Sequence, residues 1–107
     1  MLYSNLATYT NVITPKEIYI TDPSGTDLEK VQSVLNQIRS QLDTMPSGIN
    51  QFLIRRSNSA TYATFFYVNA ADSGNYGIGL YFGYYTDYVF KCILMNGTWT
   101  VKQLSEN

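Results

Sequence analysis

Apolar side chains fall at Leu28, Val31, Leu35, Ile38, Leu42 and Met45, spaced 3-4-3-4-3, a single stripe along an α-helix that Val34 widens. Thr26-Asp27-Leu28-Glu29 precedes the stripe in the T-x-x-E form of a capping box. In that box the threonine hydroxyl accepts from the glutamate amide, and the carboxylate reaches back to the threonine N–H. Asp27 and Glu29 also sit where the helix dipole favours negative charge. Pro46-Ser47-Gly48 ends the pattern and predicts a helix over 27–44, roughly 27 Å long at ~1.5 Å per residue. The run is about two and a half heptads, shorter than a coiled coil needs. A helix laid on a sheet is the first expectation, and a helical seam between subunits the second.

The rest of the pattern is β. Pro15 disfavours helix at Thr14, and the alternating, β-branched Glu17-Ile18-Tyr19-Ile20-Thr21 reads as a strand closed by the turn chemistry of Asp22-Pro23-Ser24-Gly25. Phe52 to Arg56 is a strand and Ser57-Asn58-Ser59 a turn. Thr61 to Asn69 alternates, Asp72-Ser73-Gly74-Asn75 loops, and Tyr76 to Tyr85 and Tyr88 to Met95 are strands separated at Thr86-Asp87. Asn96-Gly97 signals a tight hairpin into a last strand, Thr98 to Leu104. Residues 1–14 are polar with scattered apolar positions, an arm that is either frayed or ordered against a partner chain. The expected fold is α+β: one amphipathic helix on an antiparallel meander of five or six strands, a single domain over 1–107 with the β-meander at 49–104.

A two-residue hairpin loop fixes register. Met95 then opposes Thr98, Leu94 opposes Trp99, Cys92 opposes Val101 and Phe90 opposes Gln103, so Phe90, Cys92, Leu94, Trp99 and Val101 share a core face. Lys91 and Lys102 oppose each other on the other face, either splayed into solvent or bridged by an anion. The strand from Tyr76 divides sharply. Tyr76, Ile78, Leu80, Phe82 and Tyr84 line one face; Gly77, Gly79, Tyr81, Gly83 and Tyr85 line the other. Glycines inside a strand mark close approach of something. The helix could supply that approach, or a ligand or neighbouring subunit could. Under the second reading Gly79, Gly83, Tyr67, Tyr81 and Tyr85 are the candidate binding residues.

With 107 residues the chain can bury a core. Seven basic and eight acidic side chains leave a net charge of −1, without the basic footprint that nucleic acid requires. No histidine and one cysteine exclude His-dependent triads, an internal disulfide and a Cys/His zinc cage. Asp22, Asp72 and Asp87 fall in predicted turns, Asp27 and Glu29 cap the helix, and no two acids are spaced to flank a scissile bond. Neither catalysis nor a cofactor or metal is expected. Cys92 reads as a core residue, and Arg55 and Arg56 point to opposite faces of a strand, so they form no single clamp. No apolar run is long enough to cross a bilayer, and the N-terminus lacks the basic and apolar regions of a secretory signal. What remains is recognition by ten tyrosines among 34 Ser, Thr, Asn and Gln residues, by stacking and hydrogen bonding onto a glycan or a protein surface.

Ile13-Thr14-Pro15-Lys16-Glu17-Ile18-Tyr19-Ile20 resembles the TPG-x-Y entry strand of the small knob domains of bacteriophage tail fibres and pyocins. Asn96-Gly97-Thr98-Trp99-Thr100-Val101-Lys102-Gln103-Leu104 is similar to their terminal NGTW…W…L strand, and Pro46-Ser47-Gly48 leads into an aliphatic strand as it does there. The likeness spans 13–21 and 46–104; Glu17 stands where glycine is usual, and Val101-Lys102 where a second tryptophan is usual. The resemblance implies a non-enzymatic virion component made in the host cytoplasm. It would be a homo-oligomer, trimeric in that family, in contact with other virion proteins and with a host-surface glycan or protein. No binding residue is carried over from it. The alternative is a small cytoplasmic phage-encoded inhibitor or adaptor, a monomer docking on one host protein.

Overall fold

The computed structural model describes residues 15–42, 48–58, 60–69 and 75–104. The arm at 1–14, Met45, the Pro46-Ser47 helix stop and the loop at 72–74 lie outside the described residues. The elements run β1 (Lys16–Ile20), α1 (Asp27–Leu42), β2 (Gly48–Arg56), β3 (Thr61–Asn69), β4 (Gly77–Gly83), β5 (Phe90–Met95) and β6 (Thr98–Gln103). The strands form one sheet in chain order, β1 to β6. The fold is α+β, with β2 to β6 an antiparallel meander. β1 departs from the expected meander: it pairs parallel to β2, with Ile18 beside Ile54. α1 is the reason, because a helical crossover returns the chain to the starting end of the sheet.

The capping box forms as its residues predict. The Thr26 N–H donates to Glu29 Oε1 at 2.9 Å, and the Glu29 N–H donates to Thr26 Oγ1 at 3.2 Å. These bonds, the one from the Thr26 backbone foremost, hold the Glu29 carboxyl below its ordinary value. Val31, Val34, Leu35, Ile38 and Leu42 are buried, so the apolar stripe from Val31 to Leu42 faces the sheet, while Leu28 at its start stays exposed. That is the helix-on-sheet arrangement.

Polar contacts pin α1 at both sides. Gln37 exchanges two bonds with the Thr21 backbone, at 2.8 and 2.9 Å. Arg39 donates to the Gly97 carbonyl at 3.2 Å and to Asn75 Oδ1 at 3.3 Å. Gly97 can offer that carbonyl because the hairpin takes the mirror-image turn, with φ of 52° at Asn96 and 78° at Gly97. The register follows the loop: Met95 opposes Thr98, and Lys91 opposes Lys102.

A flat sheet of six strands at ~4.8 Å spacing is about 24 Å wide, beyond what a ~10 Å helix touches at both margins. α1 nevertheless approaches both edge strands, β1 and β6. The sheet is therefore curled, with α1 in the concave side and the convex side turned outward. Phe65, Tyr67 and Trp99 meet inside the curl, with ring centroids 5.6 Å apart for Phe65–Tyr67, 6.3 Å for Phe65–Trp99 and 6.1 Å for Tyr67–Trp99. The buried Tyr81 hydroxyl and Trp99 indole N–H have no hydrogen-bond partner, so this cluster is held by packing.

Two substitutions grade these forces in urea unfolding. Ile38→Ala, which empties a fully buried site, should cost about 2–5 kcal/mol. Thr26→Ala, which removes the cap, should cost about 1 kcal/mol. Because the folded Glu29 carboxyl lies below its ordinary value of 4.5, its share is full above that pH and is lost as pH falls through the lower folded value. The penalty of Glu29→Gln, which removes that carboxylate, should therefore shrink in acid, and an equal penalty at pH 7 and pH 3 would refute this account of the cap.

Candidate interaction surface

The glycines of β4 explain where the expected binding residues go. Tyr67 on β3 sits directly opposite Gly79, and Asn69 opposite Gly77. The rings of β3 lean diagonally across β4. A Cβ added at Gly77 would collide with the Tyr67 ring, and one at Gly79 would stand 2.5 Å from the Phe66 carbonyl oxygen and 2.7 Å from the Phe65 ring. What approaches the glycine backbone is thus the sheet's own aromatic rings.

Of the five expected binding residues, Tyr67 is 1% exposed, Tyr81 is 0% exposed and Gly79 is buried, all on the helix side. Burial pushes the Tyr81 phenol well above its ordinary value. These three form core and cannot wall an open groove; the correction follows from the curl, which turns the glycine face inward. Gly83 is half-buried, and Tyr85 alone keeps an open ring. That ring is held from both sides, by Tyr62 at a centroid distance of 5.3 Å and by the Arg56 guanidinium 5.2 Å from its centroid.

The convex face was not singled out by sequence reasoning, and it is the unusual one. Three rows cross it. Ile49, Val68, Ile78 and Ile93 are in register in one, Gln51, Phe66, Leu80 and Lys91 in the next, and Leu53, Thr64 and Phe82 in the third. Ile49 is 63% exposed and Met95 58%, and Phe66, Val68, Ile78, Leu80 and Phe82 are all open to solvent. The Phe66 and Phe82 rings pack edge to face, 5.9 Å apart. A hollow of about 420 Å³ lies among Ile49, Phe66, Val68, Ile78, Leu80 and Lys91. Four strands over about six residues project roughly 20 × 20 Å, on the order of 400 Å², the scale of patches that carry function. The signal was present in β4 itself, where Ile78, Leu80 and Phe82 all point away from the helix and only Tyr81 points toward it.

Charge is kept to the margins of this surface. Arg55 Nε donates to Glu17 Oε1 at 2.8 Å on the convex side. Arg56 bonds Asp22 and, at 3.3 Å, the Tyr85 hydroxyl. The two arginines thus take separate acidic partners, as their opposite facing predicts. The Arg56 guanidinium holds the Asp22 carboxyl below its ordinary range.

Cys92 is fully buried and burial pushes its thiol up to about 12, the state of an unreactive core residue. Among the described residues no group of three or more His, Cys, Asp or Glu side chains could hold a metal ion. No helix among them is long and apolar enough to cross a membrane. Comparison with known proteins places the chain beside none: no family model, curated protein or solved structure matches it.

Two measurements check this geometry. Gly79→Ala should destabilise the fold by about 1–3 kcal/mol, because Phe65 and the Phe66 carbonyl leave no room for a methyl group. The Cys92 thiol should resist a thiol reagent at pH 8 until urea unfolds the chain. Rapid labelling of the folded protein would contradict its burial.

Proposed function

We propose that the chain is a non-enzymatic structural subunit that works by docking its convex sheet face, and that it serves as a homo-oligomeric virion appendage. One observation carries the reading: strands β2 to β5 present apolar side chains on both faces, while α1 covers only one. An antiparallel sheet that ends at solvent ordinarily alternates apolar and polar sides; one apolar on both belongs between two layers. The second layer is then supplied by another polypeptide. The knob resemblance and the low charge point to a virion as the setting. The contact that such an appendage makes with a host surface would fall on residues 84–88, where Tyr84 is 73% exposed and Tyr85 and Tyr88 are open. A one-to-one adaptor, the rival reading, requires a monomer.

Light scattering coupled to size exclusion decides between them. The chain should elute as a multi-copy species at micromolar concentration. Leu80→Asp, at an exposed position in the middle of the face, should weaken association about 30-fold or more while leaving the urea midpoint of the monomer in place. A wild-type chain that stays monomeric up to about 100 μM would overturn the assembly reading.

A further inference from the structure

Resting on that reading, we infer that the occupant of the convex face is a second copy of this chain, related by a two-fold axis running along the strands between β3 and β4. The argument is the symmetry of the patch about its own midline. In one row Gln51 and Lys91 stand outside Phe66 and Leu80; in the next, Ile49 and Ile93 stand outside Val68 and Ile78. A two-fold axis on the midline exchanges β2 with β5 and β3 with β4. Phe66 then faces Leu80 of the second copy, Val68 faces Ile78, Ile49 faces Ile93, and Lys91 faces Gln51. Apolar meets apolar at the centre of both rows, each lysine ammonium meets an amide oxygen that accepts from it, and in the third row the Thr64 side chain meets Phe82.

The other in-plane axis, across the strands, stacks β5 on β5. Placed on the middle of the three rows, it sets Lys91 against its own copy, with Lys102 beside it, so that four ammonium groups converge. Like charges placed directly opposite are destabilising, and the lysines select the first axis. Two convex sheets touch at their midlines and diverge outward, which leaves the long Lys91 chain on the outer strand room to reach Gln51 of the second copy. The projected ~400 Å² is about half of the ~800 Å² per partner in a standard interface, so a stable pair requires the contact to continue past these rows onto the flanking side chains. A patch complementary to itself closes as a pair. The threefold arrangement implied by the knob resemblance would need two different patches meeting head to tail.

Gln51 provides the test, because within one chain it lies three strand spacings, roughly 14 Å, from Lys91, beyond the ~8 Å Debye length at physiological salt. Sedimentation equilibrium should find a dimer. Gln51→Glu should tighten it roughly threefold to tenfold at low salt, with the gain lost in high salt, and Gln51→Lys should weaken it by a similar factor. Adding Lys91→Glu to Gln51→Lys should restore the dimer. A wild-type dimer indifferent to both Gln51 variants overturns this geometry and leaves the assembly reading standing, as does a stable trimer. A strict monomer overturns both.

Discussion

The fold depends on a local gap in side-chain volume on the concave side of β4 and β5, between the bulky Tyr81, Phe90 and Leu94. Gly77, Gly79 and Cys92 leave a trough there, and Phe65 and Tyr67 from β3 lie across it to reach Trp99 on β6. Rings on one strand cover the bare backbone of the next, the device by which aromatic side chains compensate glycine in a sheet. Bringing rings together across three strands requires the sheet to bend, and the bend lets one helix close both margins. With Cβ atoms at 77 and 79 the rings would be lifted and the curl opened.

The same trough decides what faces outward. Strand alternation is strict, so a β4 that gives glycine to the concave side gives Ile78, Leu80 and Phe82 to the convex side. The neighbouring strands add Val68, Phe66 and Ile93 in register. Large apolar groups therefore accumulate on the side that α1 does not cover, and no other described element does. The packing that closes the core and the apolar surface opposite it are two faces of one strand's sequence.

Much of this could be read from the chain before any coordinates. The helix stripe, the Thr26–Glu29 cap and the hairpin register at Asn96-Gly97 all rest on contacts between residues close in sequence, and all form. The parallel placement of β1 was missed because it depends on a crossover over α1, which strand periodicity does not encode. The glycine face of β4 was expected to be open for a related reason. Glycines report that something approaches, and only the tertiary arrangement tells whether it is a ligand or a ring two residues along the adjacent strand. Tyr67 and Tyr81 look like a recognition surface by composition and are core by geometry.

An adhesive face is safe only when other routes of association are closed. The edges of an open sheet offer unpaired backbone groups to any passing strand, and pairing there propagates without limit. β1 is short and preceded by Pro15, which has no N–H to donate, and it carries the Glu17–Arg55 ion pair on its exposed side. β6 carries Lys102 next to Lys91, two like charges in register, which weakens this hairpin slightly but repels a copy of itself sliding into the same place. The pair that costs a little local stability thus guards the edge and, through Lys91, biases which way up two faces can meet. In the proposed pair, association would be steered from the open-ended mode, edge to edge, toward the face, where a second copy would bury the patch and leave nothing for a third.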